Sequence, residues 1–111
     1  MNKFRNKIVT IDNIKFRSIK EGNRYIELKH LLKLKLIKDL ILQPKFILSE
    51  KYMYRNMKIK KETYSADFQY VYDGKLIIED VKGVRTNLYK LKISIFLKTI
   101  IDNDNIIFKE I

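Results

Sequence analysis

The sequence predicts one α/β domain in the order helix, strand, two-stranded hairpin, helix, strand. Three observations predict it. Ser18 is followed three residues later by Glu21, the capping-box start of a helix. Asp73-Gly74 stands between two alternating runs, the strongest short-range signal for a hairpin. Thr86 then precedes a second helical run, NLYKLKISIFLKTII, which a DNDN break separates from a closing IIFKEI strand.

Each element follows from its own residues. Residues 1–16 alternate weakly and read as an N-terminal arm or short strand. In the first helix Tyr25, Leu28, Leu32 and Leu36 recur at helical spacing and form the expected buried stripe, while Gly22 weakens its first turn a little. Leu40, Leu42, Phe46 and Leu48 alternate as one half-buried strand, and Pro44 within it signals an edge or a bulge. Residues 49–62 are polar and basic, a loop or hairpin excursion. In the hairpin, Tyr64, Ala66, Phe68, Tyr70 and Tyr72 are expected on one face and Asp67 on the other. On the returning strand Leu76, Ile78, Asp80 and Lys82 share a face, with Ile77, Glu79 and Val81 opposite. Leu88, Leu91, Ile95 and Phe96 are expected to line the buried side of the second helix.

Composition narrows the chemistry. The 111 residues suit one domain, 1–111, with one modest core. There is no cysteine, which excludes disulfides and thiolate metal sites, and a single histidine, His30, argues against a histidine metal cage or a Ser-His-Asp triad. No apolar run approaches a membrane span and no signal peptide is visible. The expectation is a protein of the cytoplasm of a bacterial or phage-infected cell, without membrane contact and without a small-molecule cofactor. With 24 basic against 13 acidic residues the net charge is +11. AT-rich coding inflates lysine counts, yet an excess this large points to a polyanionic partner, most simply DNA.

The segment IIEDVKGVRT holds the candidate chemistry. Asp80 and Lys82 are neighbours on one strand face, and Asp67 lies equally far from the Asp73-Gly74 turn on the partner strand. Two carboxylates held that close repel each other, and a cation between them relieves the repulsion. Oxygen-only ligation suits Mg²⁺ or Mn²⁺. Lys82 beside it can orient a water or neutralise developing negative charge, which are the parts of metal-assisted phosphodiester hydrolysis.

These segments resemble a known family. SADF followed after a turn by IIEDVKG is similar to the signature of the PD-(D/E)XK nuclease superfamily. The ordered set SIKEGNRYIEL, LILQPKFIL, YSADFQY, IIEDVKGVRT and YKLKISIF resembles small phage and prophage endonuclease-like proteins long classed as a domain of unknown function. The likeness runs from about Phe16 to Ile111. It implies a restriction-endonuclease-like core of helix, three strands, helix and strand, with a mixed central sheet. It also implies a Mg²⁺ site in which Asp67, Asp80 and the carbonyl of Val81 bind metal, Lys82 positions water, and Glu21 holds a second metal or a metal-bound water. One departure stands out: Ala66 replaces the proline that often precedes the first acid, while the second acid, Asp80 rather than a glutamate, is shorter but keeps the ligand type.

Simpler roles compete at each position. Glu21 can merely complete the capping box, Asp80 and Lys82 can be an ordinary ion pair, and Thr86 reads as a helix cap. Glu79 faces away from Lys82 and is assigned to structure or surface. Arg85, Lys90, Lys92 and Arg55 are weaker candidates for DNA contact, with Tyr52 and Tyr54 interleaved around Arg55. The expected activity is a metal-dependent DNA endonuclease. A chain this short has little room for a sequence-reading domain, so branched substrates such as Holliday junctions fit best, cut by a homodimer as in resolvases of this class. The alternatives are an inactive nucleic-acid-binding module and a basic structural or interaction protein of a phage replication complex.

Overall fold

The structure, a computed structural model, describes residues 7–111. Residues 1–6 of the expected N-terminal arm lie outside the described residues. The fold is α/β with a mixed sheet, and the described residues contain two helices and ten strands. Among them no helix is long and apolar enough to cross a membrane.

The arm is a hairpin of β1 (Val9–Ile11) and β2 (Ile14–Phe16). It packs Val9, Ile11, Ile14 and Phe16 against the core. Helix α1 (Ile19–Lys33) follows, and Ser18 Oγ caps it by accepting from Glu21 N at 3.1 Å. Gly22 has a use that the sequence reading missed. A Cβ there would meet Val9 Cγ2 at 2.7 Å, so the missing side chain lets the arm lie on the helix.

A four-stranded sheet in the order β10-β9-β8-β3 carries the core. Strands β8 (Phe68–Tyr72) and β9 (Lys75–Asp80) form the expected hairpin, in register from Phe68↔Glu79 to Tyr72↔Lys75. Asp73 and Gly74 both take positive φ, 51° and 75°, the geometry that matches strand twist in a two-residue turn. Helix α2 (Asn87–Ile100) carries the chain to β10 (Ile106–Glu110), which pairs parallel with β9. Ile77 and Ile78 are neighbours on β9 but enter different cores. Ile77 packs with Tyr25 and Leu28 of α1, and Ile78 with Phe96 of α2. The two helices therefore cover opposite faces of β9, which explains its run of apolar residues.

Four expectations need correction. Leu36 does not extend the α1 stripe. The helix ends at Lys33, and Ile37 is buried instead. Lys35 N donates to Leu32 O and Leu36 N to Leu31 O, a Schellman closure that turns Leu36 outward. The expected strand from Leu40 to Leu48 divides at Gln43 (φ 52°) and Pro44 into β3 (Lys38–Leu42) and β4 (Lys45–Ser49). Strand β3 edges the central sheet, while β4 pairs with β7 (Glu62–Ser65). Tyr64 and Ala66 do not share a face with Phe68 and Tyr70. The strand breaks at Ala66–Asp67, so the first pair packs toward α2 and the second toward α1. In α2, Leu88, Leu91 and Ile95 are exposed, and of that set only Phe96 is buried. Phe96 settles the helix rotation because it nests among Phe46 (4.7 Å), Tyr64 (5.1 Å) and Phe108 (6.3 Å). The excursion at 49–62 holds a second hairpin, β5 (Tyr52–Tyr54) and β6 (Met57–Ile59).

Lys35 closes the Schellman motif at φ 60°, where a side chain crowds its own carbonyl. Lys35→Gly should therefore stabilise the fold by about 0.5–1 kcal/mol, read as a higher urea midpoint. An unchanged or lower midpoint would show that the lysine side chain contributes more than its conformation costs.

Candidate active site

The site is built where the β8–β9 ladder runs out. Continuing the register one step beyond Phe68↔Glu79 sets Asp67 opposite Asp80. Asp67 N still donates to Glu79 O at 3.0 Å, and Gln43 N donates to Asp67 O at 2.9 Å. Beyond that point the next donor, Val81 N–H, has no carbonyl rung. The side chain of Asp67 takes it, through Oδ2 at 2.7 Å. The strand break that turns Asp67 inward thus satisfies the backbone it leaves behind.

Three acids are buried here: Glu21, Asp67 and Asp80. Asp80 is 1% exposed. Its Oδ2 accepts a short hydrogen bond from the Tyr64 hydroxyl. Its Oδ1 is buried without a hydrogen-bond partner among the described residues, although Lys82 Nζ stands 3.3 Å away as an ion pair. The lysine offsets the charge of Oδ1 but is not aimed to hydrogen-bond to it, so that oxygen keeps an acceptor site free among the described residues. Asp67 Oδ1 meets Arg17 Nη2 at 3.4 Å, a long contact from a mostly exposed guanidinium.

Burial pushes the Asp80 carboxyl up to about 6, opposed by the Tyr64 hydrogen bond and reinforced by the charge of Asp67. Asp67 is raised too, chiefly by desolvation, with the Val81 N–H opposing and the charge of Glu21 adding to the rise. Lys82 lies with Nζ 4.4 Å from the centroid of the Tyr89 ring. The Tyr89 phenol donates to Glu110 at 2.6 Å, and burial pushes it up to about 12, so it stays neutral.

A cleft of about 350 Å³ opens beside this group, lined by Arg17, Lys20, Glu21, Val81, Lys82 and Thr86 among others; Asp67 and Asp80 do not line it themselves. Lys20 Nζ reaches Lys82 O at 3.4 Å. The cleft therefore carries three cationic side chains, two of which, Arg17 and Lys82, reach the buried carboxylates of Asp67 and Asp80. Among the described residues no group of three or more His, Cys, Asp or Glu side chains is placed to hold a metal. A divalent ion would rely on Asp67 and Asp80 with main-chain oxygen and water. That set suits Mg²⁺, which keeps several waters, and the unpartnered Oδ1 of Asp80 is where a ligand oxygen is wanted.

The other sequence candidates fall as follows. Glu21 is buried, and its own N–H, not its carboxylate, makes the recorded bond to Ser18. Thr86 caps α2 by accepting from Tyr89 N at 3.1 Å and also lines the cleft. Arg85 is paired with Glu110. Lys90 is exposed and Lys92 half-buried on α2, and Arg55 lies at the tip of the β5–β6 hairpin. None of these last three lines the cleft. Glu79 is structural and not a surface residue. It is fully buried, held by Arg24 Nε at 2.8 Å and Nη2 at 2.6 Å, and by the Tyr70 hydroxyl. Sequence reasoning missed Tyr64 and Arg17. Alternation placed Tyr64 away from Asp67, and only the break at Ala66–Asp67 reverses that. Arg17, next to the cap residue, carried no signal.

The chain matches the family described as "Protein of unknown function (DUF1064)" over residues 1–109, and it belongs to that family. No curated protein and no solved structure matches it.

Two predictions test this electrostatic arrangement. The folded-state value of Asp80 lies above its ordinary 3.8. Its stabilising contribution is therefore complete below about pH 4 and is lost as pH rises through about 6. Asp80→Asn, which keeps an oxygen for Tyr64, should raise metal-free stability by about 1–3 kcal/mol at pH 8, with the gain shrinking toward pH 5 in denaturant titrations. A loss at pH 8 would refute the uncompensated charge. Arg24→Met should instead cost about 3–5 kcal/mol by stranding the Glu79 carboxylate, and adding Glu79→Gln should restore much of it.

Proposed function

For this member of the family, we propose a metal-dependent endonuclease that hydrolyses phosphodiester bonds in DNA, with a preference for branched structures. One observation carries the reading: two buried carboxylates with raised proton affinity, one with an oxygen that accepts no hydrogen bond, lie beside a cleft that holds their ion-pair partners Arg17 and Lys82 together with Lys20. A buried carboxylate oxygen with a lysine close by but no hydrogen bond is what a site for a cation and a phosphate would hold.

Asp67 and Asp80 would hold the ion, with the Val81 carbonyl supplying a neutral oxygen. When bound, a Mg²⁺ ion there would act as a Lewis acid on the phosphate. The protein groups supply the rest. Arg17 and Lys20 bind the phosphate from the open side of the cleft. Lys82, steadied over Tyr89 and paired with Asp80, is placed to orient a water or to meet negative charge as it develops. Tyr64 and Val81 N–H fix the two carboxylates so that neither must reorganise. Glu21, whose charge bears on Asp67, would order water on the far side. The net charge of +11 draws the polyanion. Paired cuts at a junction would require two copies of the chain.

The test is cleavage of an end-labelled four-way junction beside linear duplex and single strands, with Mg²⁺ or EDTA. Wild type should cut the junction in Mg²⁺ only, and Asp80→Asn and Lys82→Ala should each lose roughly a thousandfold or more. Mg²⁺ should also raise the melting temperature of wild type but not of Asp80→Asn. Failure of wild type to cut any DNA with Mg²⁺ or Mn²⁺ would overturn the proposal.

A further inference from the structure

The β5–β6 hairpin has no part in the site described above, and its composition is unusual. It stands as its own two-stranded sheet and pairs with no other strand among the described residues. An isolated two-stranded hairpin is marginal in water. Its register, Tyr52↔Ile59 and Tyr54↔Met57, puts these four residues on one face. That face is open at three of its four positions, with Tyr52 55% exposed, Tyr54 56% and Met57 59%, while Ile59 is half-buried. The opposite face carries the exposed Met53 beside Lys58, the tip carries Arg55, and Lys51, Lys60 and Lys61 stand at the base. No acid occurs from residue 51 to 61. Arg55 lies over the Tyr54 ring, its Cζ 5.6 Å from the centroid.

This charge selects the occupant. A second copy docked face to face would bring two sets of five positive charges together without one compensating acid. A polyanion with flat apolar faces matches both halves of the hairpin at once. Stacking of bases on aromatic rings is sequence-tolerant, and it needs bases that are unpaired or unstacked. Position supports the same partner. The hairpin is the outer continuation of the β4–β7 ribbon, whose inner end leads to Asp67. The chain from Asp67 out to Arg55 can span at most roughly 40 Å, about one turn of duplex.

We propose that the β5–β6 hairpin is a nucleic-acid arm: Tyr52 and Tyr54 stack on exposed bases at a branch or fork, while Arg55, Lys58 and Lys60 hold the flanking phosphates. The arm supplies the preference for branched substrates, and so it rests on the nuclease reading above for its purpose. Its binding can be measured without cleavage.

The probes are a fluorescent forked DNA with an unpaired arm and an intact duplex of equal length, titrated in EDTA by anisotropy. Variants are Tyr52→Ala/Tyr54→Ala, Tyr52→Leu/Tyr54→Leu and Lys58→Gln/Lys60→Gln, each with its melting temperature checked against wild type. Both tyrosine variants should weaken fork binding tenfold or more and duplex binding less than about twofold. The leucine pair preserves an apolar hairpin, so its loss isolates stacking. The lysine variant should weaken both DNAs alike and lower the slope of log K against log salt by about 2. Wild-type affinity in every variant would overturn the arm. So would unchanged DNA binding accompanied by lost binding to phosphatidylserine vesicles, or by dissociation of a dimer in sedimentation. If wild type never cuts but the arm effects hold, the nuclease reading falls and the arm stands. If it cuts and the variants bind normally, the arm falls alone.

Discussion

The hydrogen bond from Val81 N to Asp67 Oδ2 is the contact around which the molecule is arranged. It closes a sheet with a side chain at the point where β8 and β9 stop exchanging main-chain bonds. Because Asp67 must turn inward to make it, the preceding strand cannot keep its alternation. Tyr64 and Ala66 pass to the α2 side, and Phe68 and Tyr70 stay on the α1 side. Gln43 and Pro44 follow the same break across the sheet, with Gln43 N on Asp67 O and Ala66 N on Pro44 O. One irregular step in the chain sends its side chains into both hydrophobic cores and leaves the acids at the junction.

Glu79 and Asp80 show how neighbouring carboxylates acquire different roles. They occupy opposite faces of β9, and both are almost wholly buried. Arg24 grips Glu79 with two nitrogens and Tyr70 adds a third donor, so its charge is matched. Asp80 has one tyrosine and a lysine at the margin of contact. Burial is similar and the partners are not. A matched buried charge holds a fold together, whereas an undermatched one leaves free energy available for a ligand to recover.

Much of this was legible in the residues. The Asp73-Gly74 turn determines the β8–β9 register by itself, so the meeting of Asp67 and Asp80 follows from counting. Ser18 and Thr86 announce their helices through local hydrogen bonding, which tertiary contacts do not alter. The misreadings have a common cause. Helix α2 carries apolar residues on more than one side, and only Phe96 meeting three other rings settles which side turns inward. The break at Ala66–Asp67 goes with a bond from Ala66 N to Pro44 O, a residue distant in the chain, and no local pattern at residue 66 reports it. Tyr64 as a partner of Asp80 was hidden by the same event.

The turn at Asp73-Gly74 also bears on how the molecule assembles. Asp67 and Asp80 are joined by a short local hairpin, whereas β10 must return across α2 to pair Ile106 with Leu76. Local contacts close faster than distant ones, so the hairpin is the natural nucleus and the parallel strand a late addition. The acidic pair is then brought together while the surrounding layers are still open to water, when its mutual repulsion is most screened. The full desolvation cost arises only as α1 and α2 close over β9.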